Sequence, residues 1–266
     1  MFKVLVSIIR DGFRAIRASW LIWPAAIVFV GLRDYVLVYR SGNPAIGCLQ
    51  VVAGLVAAAS QAWLVLVVPG IKQGSVPRSN EVWPVLRRNF WRMVGAGIAV
   101  ELGVILLALG IWLFMAITQL EIPPAIARSL NLLVVVPLLT GVATFAVCAV
   151  MISNLSPLHA AWDALLIATN SLVQLALITL LFLLLRCAAL VAVMSVAGRP
   201  DWPDHVMSLA QVDPGVWLAE DRLPLAWIVG ATLTLLISTA ELSVYIHAYL
   251  AAIARMRYPW MDLKDA

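Results

Sequence analysis

Four ionisable side chains sit well inside long apolar runs of this chain: Glu101, Arg186, Glu241 and His247. A charged group in hydrocarbon costs at least about 2.5–3.5 kcal/mol on insertion scales, so such residues mark protein interiors, partners or polar paths. Two kinds of chemistry follow from their types. An arginine and a carboxylate can pair through the guanidinium fork and lock two helices together. The same groups can hold an ion or small polar solute, or relay a proton, within a helical bundle.

Other chemistries lack their residues. There is no HExxH, Walker loop, GxSxG or CxxC in the sequence, which argues against a metalloprotease, ATPase, serine hydrolase or dithiol redox module. A b-type haem would need two histidines on facing spans. His247 is near the end of an apolar run, whereas His159 and His205 fall in segments between runs. Cys48, Cys148 and Cys187 read as small apolar residues, with no disulfide or zinc spacing. No cofactor and no metal are expected, and no nucleophile–base pair supports an enzyme.

The elements that must position these groups follow from composition. Of 266 residues, 63% are hydrophobic and 12% charged, against roughly a quarter charged in soluble domains. Mean hydropathy is +0.98. A run of about 20 apolar residues crosses a bilayer as a helix. Six runs qualify: Trp20 to Val38, Ala45 to Val68, Met93 to Leu120, Leu130 to Ile152, Leu172 to Met194 and Ala226 to Leu250. The first is the weakest, since only Trp20 to Leu32 is free of charge. Tryptophans such as Trp20, Trp23, Trp83, Trp91, Trp162, Trp227 and Trp260 flank these runs, as an aromatic belt does.

Basic residues set direction. With the N-terminus inside, Lys3, Arg10, Arg14, Arg17, Lys72, Arg78, Arg87, Arg88, Arg92, Arg255, Arg257 and Lys264 are cytoplasmic. Only Arg33, Arg40, Arg128, Arg199 and Arg222 lie opposite. The bias predicts a multi-pass protein of the cell (inner) membrane with both termini cytoplasmic. Arginines spread through the first 18 residues argue against a cleaved signal peptide. The net charge of +4 marks membrane loops and not a nucleic-acid surface.

In this frame, at about 1.5 Å per residue, Glu101 is ~12 Å, Glu241 ~14 Å and Arg186 ~21 Å from the cytoplasmic ends of their spans. Helical side chains lean toward their own N-terminus. Arg186 and Glu241 therefore lean toward each other, which predicts a pair, with Glu101 as an alternative or third member. These three are the candidate binding cluster.

Met1 to Arg17 forms an amphipathic helix, with Phe2, Leu5, Ile8, Ile9, Phe13 and Ile16 on one side and a basic face on the other. Asn80 to Arg92 precedes the third span and Ser156 to Ser171 the fifth in the same way. The chain thus reads as three units, 1–69, 70–152 and 153–266, each an interfacial helix followed by a transmembrane hairpin. The fold class is all-α: six transmembrane helices with three interfacial ones in a single transmembrane domain. Rows of small residues, Gly54–Ala58–Ala62 and Gly95–Ala99–Gly103, predict that the second and third spans pack tightly inside the bundle. The longest outer loop, Ser195 to Leu225, is acidic and carries Trp202 and Trp217.

The segment EVWPVLRRNFWRMVGAGIAV, with Trp83, Arg88 and Asn89, and the later Trp162 and Asn170, resembles prokaryotic six-helix families of unknown function. These are related in pattern to the membrane domain of glycerophosphoryl diester phosphodiesterases. There the catalytic residues belong to a separate soluble domain, so the resemblance implies a membrane module without a hydrolytic site. In length, span number and N-terminal elbow helix the chain is also similar to permease subunits of type-2 ABC exporters. It departs from them at SVPRSNEVWPVLRR, which lacks their Glu-then-Thr-Leu-Glu coupling segment. The expected role is a scaffold or accessory subunit of a larger membrane assembly, with the bilayer and other membrane subunits as partners. The alternative is a permease-like transport protein that works through the Glu101–Arg186–Glu241 cluster.

Overall fold

The computed structural model describes residues 2–18, 22–38, 44–72, 77–118, 134–197 and 224–257. Eight helices account for most of them: α1 Phe2–Ala18, α2 Ile22–Val38, α3 Pro44–Lys72, α4 Ser79–Thr118, α5 Val136–Ser153, α6 Pro157–Asn170, α7 Leu172–Ala197 and α8 Pro224–Arg257. Most of the acidic loop between α7 and α8 lies outside the described residues, as do residues 119–133.

Five helices are long and apolar enough to cross a membrane: those containing Cys48–Gly70, Ser79–Leu107, Val136–Ser153, Leu172–Val193 and Val229–Arg255. The described residues are therefore all-helical, and the chain is of the multi-pass membrane type. The first predicted span, Trp20 to Val38, corresponds to α2, whose apolar part, Ile22–Leu32, is shorter.

The centre of the bundle is α5 and α8. Helix α5 packs against α3, α4, α6, α7 and α8, and α8 against α1, α2, α3, α5 and α7. Residues 144–151 of α5 are buried on every side, as expected of a helix apolar all round. Small residues (Ala146, Cys148, Ala149) let its neighbours approach, and Phe145 meets Tyr249 at a centroid distance of 5.5 Å. Helix α8 buries Thr234, Ser238, Thr239 and Ser243. Small hydroxyl residues of this kind are common at helix contacts in lipid, where packing and hydrogen bonds hold helices together.

The tight packing expected of the third span is not found along its length. Helix α4 buries Val82, Leu86, Asn89, Met93 and Ala96, an alternating three–four spacing that makes one seam. Beyond Ala96 the seam fades: Val100 is only partly buried against the core, and Ile98, Leu102, Ile105, Leu106, Leu109 and Leu113 are all exposed. A Cβ on Gly95 would touch the Pro157 ring of α6 at 3.3 Å, but one on Gly97, Gly103 or Gly110 would meet nothing. In the second span, only the Ala62 end of the small row is buried.

The segment expected as a separate interfacial helix, Asn80 to Arg92, is continuous with the third span. The 40 residues of α4 extend roughly 60 Å, twice a hydrocarbon core of about 30 Å. The helix begins early because Arg78 caps it: its carbonyl accepts from the Glu81 and Val82 amides, and its own amide donates to the Glu81 carboxylate at 3.1 Å. Pro84 then lies inside the helix. Helix α6 matches the expected segment. It buries Ala160, Ala164, Ile167 and Ala168 and turns Leu158 and Trp162 outward. The turn before it uses Asn154 at φ 55°, and the Arg92 guanidinium of α4 donates to the Asn154 side chain at 3.0 Å.

Helix α1 also lies against protein. Leu5, Ile8, Gly12 and Ala15 are buried, and Phe13 stacks on Phe182 of α7. At the crossing with α8, the Ser243 hydroxyl donates to the Gly12 carbonyl at 3.0 Å. A Cβ on Gly12 would stand 2.6 Å from Val244 Cγ2 and 3.1 Å from the Val244 backbone. Backbone cannot move aside cheaply. At Gly141 the corresponding 2.6 Å neighbour is the flexible tip of Leu175. Gly12→Ala is therefore expected to destabilise the protein by about 1–3 kcal/mol, the range for overpacking, and Gly141→Ala by clearly less. Thermal unfolding of both variants in the same detergent checks the order.

Candidate functional site

The Arg186–Glu241 pair predicted from depth and side-chain lean is present. Arg186 Nη2 donates to Glu241 Oε2 at 2.7 Å, with the Ser238 hydroxyl at 3.5 Å from the same nitrogen. The two side chains are 28% and 17% exposed, so the pair is mostly shielded but not sealed. It joins α7 to α8.

The pair heads a line of polar contacts. On α8, Ser238, Glu241, Tyr245 and Tyr249 recur at three- and four-residue steps and share one face. They meet Arg186 and Thr179 on α7 and Ser153 on α5. Thr179 and Tyr245 hydroxyls are 2.7 Å apart and buried; those of Ser153 and Tyr249 are 3.3 Å apart. The line runs from the middle of α8 toward its C-terminal end. The polar groups of this line thereby find partners on neighbouring helices. The sequence reading found the charged members and missed Thr179, Tyr245 and Ser153. The two tyrosines four residues apart on the Glu241 face were the available signal.

Glu101 is not part of this line. Helix α4 packs on α3, α5 and α6, while the pair lies between α7 and α8. Glu101 is exposed on the unburied half of α4, and no hydrogen bond or ion pair holds it among the described residues. The three-residue cluster thus resolves into a pair and an isolated carboxylate. The depth estimate could not show this, because depth does not specify which way a helix face turns.

His247 is buried on α8, and its Nδ1 lies 2.8 Å from the Ser243 carbonyl, an arrangement that puts a proton on Nδ1. Among the described residues no three His, Cys, Asp or Glu side chains converge as metal ligands would. Cys148 is buried, Cys187 half-buried and Cys48 exposed. The described cavity lies elsewhere, between α2, α3 and α4.

No protein-family model matches the chain, and no curated protein or solved structure is similar to it.

Removing one partner of a shielded ion pair strands the other, which costs about 3–5 kcal/mol when the pair is fully buried and less here, where part of Arg186 is exposed. Arg186→Met and Glu241→Gln are each expected to lower the unfolding temperature. The double variant should recover much of that loss. A double-mutant cycle by thermal unfolding measures it, and simple additivity would contradict an energetically coupled pair.

Proposed function

We propose that this protein is a non-catalytic membrane subunit that serves as a scaffold or accessory component of a larger membrane assembly. One observation carries the reading: Glu101, on a membrane-length helix, faces away from the bundle. A carboxylate presented to hydrocarbon is costly. A neighbouring transmembrane segment with a basic or hydrogen-bonding residue at that depth would remove the cost. Gly97, one turn before Glu101, is open on its Cβ side and lets another helix come close. Beside them Ile98, Leu102 and Ile105 offer an apolar contact surface.

The finer topology belongs to the same proposal. Six spans, with α2 as the first, and both termini in the cytoplasm fit the arginine distribution; in a three-unit arrangement the leading helix of the second unit is the N-terminal part of α4 itself. Residence in the cell (inner) membrane follows from the same arginine bias.

Extraction from native membranes in mild detergent should yield a complex larger than the single chain. Glu101→Leu and Gly97→Leu should release the partner while the protein stays folded. A wild-type protein that elutes alone, together with a Glu101→Leu variant that is only more stable, would overturn the reading.

The line from Arg186 to Tyr249 supports a second reading, a transport protein that handles an ion or small polar solute. Replacement of both Arg186 and Glu241, by Met and Gln, separates the two. A scaffold keeps its assembly and its effect, whereas a transporter inserts and loses flux in reconstituted vesicles.

A further inference from the structure

The cavity between α2, α3 and α4 has a volume of about 510 Å³ and an open side. Its walls are Pro24, Ala25 and Val28 of α2, a stripe of α3 from Val52 to Trp63, and Trp83, Leu86 and Phe90 of α4. Ser60 is the lining hydroxyl, and it donates to the Val56 carbonyl at 2.9 Å; the other side-chain donors in the lining are the indole N–H groups of Trp63 and Trp83. The groove therefore offers mainly hydrocarbon contact.

Its shape selects the occupant. From Val52 to Trp63 the wall is about 16 Å long. Spread over that length, 510 Å³ gives a mean cross-section of roughly 30 Å², a narrow open-sided channel of the width that one extended hydrocarbon chain fills.

Charge at the rim selects the rest of the ligand. Arg87 is exposed and has no hydrogen bond or ion pair among the described residues. On the α4 wheel it stands about 40° from Trp83 and 60° from Phe90, at the lip of the groove. Arg88 projects about 140° from Trp83, away from it. Trp83 is 58% exposed beside this lip, where an indole meets headgroups.

We propose that the groove is a lipid site: one acyl chain of an anionic phospholipid lies between α2, α3 and α4, and Arg87 holds its phosphate. The site is independent of the assembly proposed above, because it uses the N-terminal part of α4 and not the Gly97–Glu101 face.

Native mass spectrometry of the full chain tests it, with equal amounts of dioleoyl phosphatidylglycerol and dioleoyl phosphatidylcholine. The acyl chains are identical, so any preference reports the headgroup. The wild type should retain one phosphatidylglycerol about fivefold over phosphatidylcholine, the scale of one arginine near an anionic lipid surface. Arg87→Gln should bring the ratio near unity, and Arg88→Gln should leave it. Val56→Trp should block the groove and reduce both adducts, with lipid-free unfolding temperatures showing that each variant is folded. No headgroup preference in the wild type, equal loss with Arg88→Gln, or full retention by a folded Val56→Trp would each overturn the proposal.

Discussion

Water is absent from the hydrocarbon core, so every backbone amide there must find its partner within the chain, and the helix is the element that does this locally. The rest of the structure answers to that constraint. Where helices stop, backbone turns and short side-chain contacts close the ends. Arg78 and Glu81 start α4. Asn154 takes a left-handed conformation to end α5, and its amide donates to the Ala149 carbonyl. Ser156 and His159 then pair at 2.7 Å at the start of α6. Arg92 ties this corner to α4.

With the backbone satisfied, cohesion between helices rests on close packing and on a few polar side chains. The α5–α8 pair shows both. Alanines, cysteine and small hydroxyls bring backbones together, and a line of hydroxyl and ionic contacts joins α8 to α7 and α5. The polar atoms of that line compensate one another. The exposed carboxylate of α4 has no such compensation within the described chain, and that contrast makes it the more informative residue for function.

Much of the fold was legible in the sequence. Apolar run length gave the long helices, and side-chain lean gave the Arg186–Glu241 pair, because both depend only on helix geometry. Which helices take the centre was not legible. Glycine rows mark where close approach is allowed, and in α4 most of those positions meet nothing. The buried stretch from Thr144 to Met151 carried the better signal, since it is apolar or small on every face. The junction at Arg92–Met93 was also hidden. An amphipathic segment ahead of a span reads as a separate interfacial helix, yet nothing between Arg88 and Gly95 breaks the hydrogen bonding, and the two join in one helix.

The central claim is that the Glu101 face of α4 is covered by another protein. A photoreactive residue placed at position 101, activated in native membranes, addresses this without extraction. The account predicts a covalent adduct to a second polypeptide, absent when the same residue is placed at exposed position 158 on α6. Adducts to lipid alone at position 101 would contradict it.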